Sequence, residues 1–460
     1  MQKKQKIPFI MDMKGTPRFA KFAILSMLLL AATQAVCQER IDEIDYVDDV
    51  KSSVKRFDDS TTYFCTTEGD FSYYSKIPDN STNVRVFPLK GHDHAYKITD
   101  FTMFHDRIYV CGMVYEDSTW FTGWFTGTGT GSILNMVYMR IPYVSHLAKI
   151  EVIPKTGSIL VAGNDNFGKG ALYEAHVNAP GTYNIYKVTL HDTSLTDNYF
   201  IDDMLVMENY IVLSSHIKSN LPMIFAPKGR LWFVNKPTNG STHITTSTVV
   251  YEDIKFNTRS AVCLASQTST IFYVAGSGYL NFFDGITAQL SLYHEQIHQK
   301  TLSVSSTSGA LAVSYNKVSQ KCEIPVYNST YVHNHLVGTD YDEVLTINKE
   351  LSVGSTGVHG HKFSGHRLYS ISAYPNTANR FVVSSKKTSG TNNSAELIYF
   401  DTPTFGDCST EITHAASLYS NSSIDVIQMP KYPITYTVNI ESDSFAGINI
   451  PVTNSCGNNK

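Results

Sequence analysis

Between Ile98 and Val426 a short pattern returns about every 50 residues, and no other feature restricts the fold as tightly. Its clearest element is an apolar run ending in Gly or Ser. The copies are Ile108-Tyr109-Val110-Cys111-Gly112, Ile159-Leu160-Val161-Ala162-Gly163, Ile211-Val212-Leu213-Ser214, Phe272-Tyr273-Val274-Ala275-Gly276, Ala310-Leu311-Ala312-Val313-Ser314 and Phe381-Val382-Val383-Ser384. Continuous hydrophobicity over so few residues reads as a strand covered on both faces. A shorter alternating strand precedes most copies: 98–104, 147–153, 201–207, 260–265, 302–306 and 368–373. Turn residues such as His105-Asp106, Lys155-Thr156-Gly157 and Thr307-Ser308-Gly309 separate the two. A third strand echoes at 71–74, 172–175, 231–234, 280–283 and 397–400, and a more polar fourth at 137–140, 184–189 and 245–251.

Four short strands per unit, repeated around a ring, make an all-β β-propeller. The spacing predicts seven blades, with six to eight allowed, and a ring closed by N- and C-terminal strands in one blade, so that no sheet edge is left bare. The run 424–428 resembles a first strand that would take part in this closure. The alternative is a pair of β-sandwiches with unrelated hairpins.

Residues 1–37 read as a signal peptide. Lys14, Arg18 and Lys21 precede an apolar stretch at 22–32, and Ala35 and Cys37 are small residues before Gln38. The predicted organisation is signal 1–37, linker 38–58, propeller 59–440 and tail 441–460. The stretch is too short to span a bilayer. The expected location is therefore the periplasm, the outer surface or the medium, with no transmembrane span. A net charge of −4 offers no basic field for nucleic acid. With Cys37 removed, six cysteines remain, and Cys408 with Cys456 is the candidate disulfide, stapling the C-terminal tail. The repeat rhythm over residues 60–440 and a signal ending before Gln38 resemble the exported β-propeller proteins of Bacteroidetes-type bacteria. That resemblance implies a fold and no activity.

Three groups of residues could carry chemistry. His294-Glu295-Gln296-Ile297-His298 has the HExxH spacing, which binds zinc only if a helix puts both imidazoles on one face. Its neighbours read as strand. His94, His146, His298 and His366 each precede an expected innermost strand, so their loops could open on one mouth of the ring. His359 and His361 add a neighbouring pair, and His294, His298, His359 and His361 are the weak metal candidates. No metal or other cofactor is assigned. Trp120 and Trp124 fall on one face of an extended strand and could stack a sugar ring or pack between blades.

These residues point to a secreted or cell-envelope binding module that presents a glycan or protein site on a propeller face. The alternative is a metal-dependent or glycan-active hydrolase or lyase working from a histidine-lined mouth.

Overall fold

The computed structural model describes residues 39–44, 51–79, 81–126, 131–179, 181–190, 199–217, 229–236, 244, 249–254, 256–257, 262–279, 286–305, 307, 309–332, 335–353, 357–387, 395–402, 408–419, 427–429 and 434–454. The expected signal segment 1–37 lies outside them. Residues 39–460 form one unit. Its described secondary structure is all β-strand, and no helix among the described residues is long and apolar enough to cross a membrane.

Antiparallel meanders follow one another over 51–88, 96–140, 144–190, 199–254, 256–304, 309–363 and 366–401. They fall into six hydrogen-bonded sheets, one of them a nine-stranded sheet that holds the first and last meanders. Consecutive innermost strands touch. Tyr96–Phe104 meets Val144–Val152, which meets Tyr199–Val206, which meets Cys263–Ser266. Ser314–Asn316 continues the series to His366–Ala373, and His366–Ala373 packs on Lys51–Arg56. The salt bridge from Lys55 to Asp100, at 2.9 Å, joins that strand to Tyr96–Phe104 and completes the circuit. The fold is a β-propeller.

An innermost strand has no sheet neighbour on its channel side, so its backbone N–H groups need other acceptors. Side chains of the neighbouring meander supply them. Asp100 accepts from Ile150 N at 3.2 Å, Asp203 from Leu264 N at 2.8 Å, Ser314 from Ala373 N at 2.9 Å and Ser370 from Val54 N at 3.3 Å. The carboxylates are themselves threaded on lysines. Lys149 lies 3.8 Å from Asp100 and 3.4 Å from Asp203, so Lys55, Asp100, Lys149 and Asp203 alternate in sign across four meanders. Those two lysines hold the buried Asp100 carboxyl below its ordinary range despite burial, which pushes the other way.

The sequence echo now has a geometric cause. Four innermost strands carry a register shift at the same place, between Ile98 and Asp100, Leu147 and Lys149, Ile201 and Asp203, and Leu368 and Ser370. A bulge bends the strand and re-aims the residue after it. On the second strand, two of the four positions opposite the bulge leave no room for a side chain. A Cβ on Gly112 would stand 2.0 Å from the Lys97 carbonyl oxygen, and one on Gly163 2.0 Å from that of His146. The apolar run therefore ends in Gly at these two places for steric reasons.

The last meander lacks a fourth strand of its own, and Arg40–Ile44 provides it by pairing with Ala395–Asp401. Beyond residue 409 the chain turns back and runs round the periphery in reverse order. Thr410–His414 pairs on Val358–Phe363, Ala416–Tyr419 on Ile297–Val304, and Ile427–Met429 on Val249–Ile254. Ile434–Asn439 then pairs on Thr182–Leu190 and Glu441–Ala446 on Ile133–Arg140. Finally Ile448–Asn454 lies between Asn83–Pro88 and Arg40–Ile44, joining first and last meanders in one sheet. The N- and C-terminal strands thus close the ring in a shared sheet, as expected.

Four expectations need correction. The segment 38–58 is not a linker, because Arg40–Ile44 and Lys51–Arg56 are strands of the ring. The expected tail 441–460 is sheet over Glu441–Ala446 and Ile448–Asn454, and its last six residues lie outside the described residues. Residues 302–304 of the run 302–306 end the fourth strand of their meander rather than opening a first, and 310–314 lies in the innermost segment of the next rather than a second. Of the run 424–428, residues 424–426 lie outside the described residues, and Ile427–Met429 pairs on the outer edge strand Val249–Ile254 rather than closing the ring. For Arg40–Ile44, Glu441–Ala446 and Ile448–Asn454 the sheet partner lies hundreds of residues away, which local pattern does not reveal. The expected third-strand copy at 280–283 lies outside the described residues.

Candidate functional site

A cleft of about 170 Å³ opens between the meanders 96–140 and 144–190, and Trp124 forms part of its wall. It is built from the turns upward. His105 and Asp106 both have positive φ, 45° and 59°, as a tight hairpin turn requires. The turn delivers the exposed Arg107 to the rim, and Tyr109 follows two residues later on the same face. Tyr109 sits opposite Trp124 in register, with ring centroids 6.2 Å apart. Trp124 reaches across to Tyr183 of the next meander, at 6.1 Å. Burial raises the Tyr183 phenol above its ordinary value, the Tyr109 phenol adds to this, and Arg107 opposes it. Ile159 and Ala175 line the apolar floor.

The far side of the cleft is polar. His176 Nε2 lies 2.7 Å from Glu174 Oε1 and 2.8 Å from Ser158 Oγ. Glu174 is fully buried, and its other oxygen accepts from Ile244 N at 2.6 Å. A Ser–His–Glu nucleophile relay needs serine and carboxylate on opposite ring nitrogens. Here the short contacts of both fall on Nε2, and Ser158 Oγ stands 3.5 Å from Nδ1, so the trio fixes the imidazole beside Ser158 in an arrangement unlike that relay. Three aromatic faces, a guanidinium and a fixed hydroxyl–imidazole pair can hold a flat, partly apolar, polar-edged molecule the size of one sugar ring.

The other sequence candidates are dispersed. Trp120 shares the strand Thr119–Thr126 with Trp124 and meets His146 edge-on at 5.1 Å, while both indoles pack against the core between the two meanders. His94 stands before Tyr96–Phe104, edge-on to Tyr96 at 6.3 Å and 3.9 Å from Glu116. His146 lies in the innermost strand Val144–Val152. His366 opens the innermost strand His366–Ala373, with Nδ1 2.6 Å from Glu396. His298 departs from expectation. It lies on Ile297–Val304, a fourth strand, against Tyr293 and 2.9 Å from Thr301 Oγ1. It therefore does not lead into an innermost strand.

The HExxH segment is a hairpin and not a helix. Ile286–His294 turns at Glu295, with φ 51°, into Ile297–Val304. Tyr293 opposes His298, so His294 points to the other face of the sheet. His359 contacts Glu411 at 2.9 Å, whereas His361 is buried, 3.2 Å from Ser409 and 3.5 Å from Glu39. No group of three or more His, Cys, Asp or Glu able to hold a metal occurs among the described residues. Cys65, Cys111 and Cys322 are free thiols, and burial pushes those of Cys65 and Cys111 up to about 12. Cys456 lies outside the described residues.

Arg107, Tyr109, Ser158, His176 and Tyr183 escaped the sequence reading. They are scattered over some 80 residues, and only register assembles them. Counting out from the turn at 115–118, where Val114 faces Thr119, would have placed Tyr109 opposite Trp124. Nothing linear marks the rest.

A scan against protein-family models finds no match, and neither does a search of curated proteins. Among solved structures, the chain is similar to Drosophila Plexin A in complex with Semaphorin 1b, at 9% identity and a TM-score of 0.37, over 79% of this chain and 88% of that one. It is also similar to a bifunctional GH43-CE protein of Bacteroides eggerthii, at 10% identity and a TM-score of 0.33, over 90% of this chain. The match spans 63% of that second protein. These likenesses concern the fold alone.

Proposed function

We propose that the protein is an exported binding module of the cell envelope, a ring of seven blades that takes a glycan in the cleft between the meanders 96–140 and 144–190. The observation that carries this reading is the aromatic wall of Tyr109, Trp124 and Tyr183. A half-buried indole flanked by two tyrosines, and open to solvent beside polar groups, suits the alternating apolar and hydroxylated faces of a pyranose. Rigid strands hold all three rings, so little ordering cost falls on binding. The predicted signal over residues 1–37 supports export. The remaining histidine candidates, His94, His146 and His366, belong to loops and strand starts where a second contact with a partner would fall.

We also propose a Cys408–Cys456 disulfide that anchors the chain's end. Cys408 N donates to Glu39 at 3.0 Å, and Asn454 pairs with Asp42 three residues further along the same segment. The last described residues of the chain therefore run beside the Cys408 neighbourhood.

Retention on a glycan array tests the function. Wild type should bind a defined subset, Trp124→Ala should lose it, and Trp124→Phe should retain part of it if the fold is intact by circular dichroism. Equal retention by wild type and Trp124→Ala would refute the assignment of the cleft.

A further inference from the structure

Resting on that reading, we infer that the cleft selects sugars bearing a carboxylate, that is, hexuronate-containing glycans, with Arg107 as the residue that reads the acid group. The argument is one of charge bookkeeping within the cleft. His176 is already matched to the buried Glu174, which is satisfied a second time by Ile244 N. Tyr109, Tyr183, Trp124 and Ser158 are neutral hydrogen-bonding or stacking groups. Arg107 is exposed at the rim and has no acidic partner among the described residues. Three other arginines of this protein sit against acids: Arg56 with Asp79 at 2.9 Å, Arg40 with Asp42 at 2.7 Å, and Arg140 with Asp117 and Glu441. A cation left unmatched on the wall of an aromatic cleft, in a chain of net charge −4, makes the cleft the complement of an anion.

Geometry selects the kind of anion. The planar guanidinium fork matches a carboxylate with two parallel hydrogen bonds, and it stands beside the rings that would carry the pyranose. A hexuronate presents both at once, an apolar ring face and a coplanar-edged carboxylate one bond beyond C5. Its hydroxyls would face Ser158 and His176 on the opposite wall. The small cleft volume of about 170 Å³ restricts the site to one residue of the chain, so an oligosaccharide would be held by a single acidic sugar with its neighbours outside.

The test is isothermal titration of the purified protein with oligogalacturonate, hyaluronan fragments and oligoalginate, each alongside its carboxyl-reduced, neutral counterpart. At least one acidic series should bind about tenfold or more tightly than its neutral form, and Arg107→Ala should bring that ratio close to one by weakening the acidic form far more than the neutral one. Arg107→Lys should restore only part of it, because the ammonium lacks the fork. If acidic and neutral forms bind alike, or if Arg107→Ala leaves the preference intact, the carboxylate assignment is overturned and the glycan reading survives. If sulfated but not carboxylated sugars show the arginine-dependent preference, the assignment to hexuronates is likewise wrong. If no glycan binds and Trp124→Ala changes nothing, both fail together.

Discussion

The buried Glu323 offers the sharpest test of the packing described above. Its side chain is fully enclosed, Thr346 donates to one carboxyl oxygen at 2.8 Å, and the other oxygen lies buried with no hydrogen-bond partner. Burial raises its pKa from 4.5 to about 8, while the Thr346 hydrogen bond and Lys321 pull only weakly the other way. In the unfolded chain the group titrates at its ordinary value. Between those two values the folded state binds the extra proton, so stability must fall as pH rises through the window and stay low above it. A displacement of that size corresponds to about 5 kcal/mol at full development. Glu323→Gln keeps the shape of the protonated acid and cannot ionise, so it removes the dependence. Urea unfolding followed by tryptophan fluorescence, from pH 4.5 to 9, should show variant and wild type differing little at the acid end. The variant should gain steadily above pH 5 and lead by several kcal/mol at pH 9. Other groups titrate equally in both proteins and cancel in the difference. A difference that is constant across the range would refute the reasoning, because it would mean that Glu323 is hydrated in the native state.

Other expectations follow from the ring itself. Lys149→Met should cost about 3–5 kcal/mol by leaving Asp100 and Asp203 short of a cation, and adding Asp203→Asn should recover part of that in the same denaturation assay. Gly163→Ala should cost about 3 kcal/mol or more, since its methyl meets the His146 carbonyl oxygen in a pairing that cannot shift, and thermal melting will show it. Ending the chain after Thr402 should bare the outer strand of each sheet, and light scattering after size exclusion should then find aggregates in place of monomer. Maleimide should leave Cys65 and Cys111 of the native protein unmodified, and non-reducing peptide mapping should recover Cys408 linked to Cys456.

How much of this was legible in the sequence depends on where each signal lies. The strands at 98–104, 147–153, 201–207 and 368–373 were readable because their apolar residues are local and their bulges repeat in the same place. The extended strand that carries Trp120 and Trp124 was readable through its aromatics. The outer cover was not. Ile434–Asn439 and Ile448–Asn454 are mostly exposed and held largely by backbone hydrogen bonds, which leave little trace in side-chain pattern. The slip at 302–314 has a related cause, since Gly309–Ala310 and Ser314–Asn316 form a broken innermost strand too short to show alternation. The cleft was half visible. Trp124 stood out by composition, but Arg107 and His176 become neighbours only once Tyr109 and Tyr183 are placed by register.

The route taken by the last fifty residues bears on how the protein can be made. The outermost strand of every early meander is supplied from the far end of the chain, and the meander begun first is finished last. A nascent polypeptide leaving the ribosome or a translocon therefore carries a growing row of unprotected edges until synthesis is complete. Its assembly must then proceed like lacing a shoe backwards, and a ribosome stalled a few dozen codons early would release something sticky rather than something nearly whole.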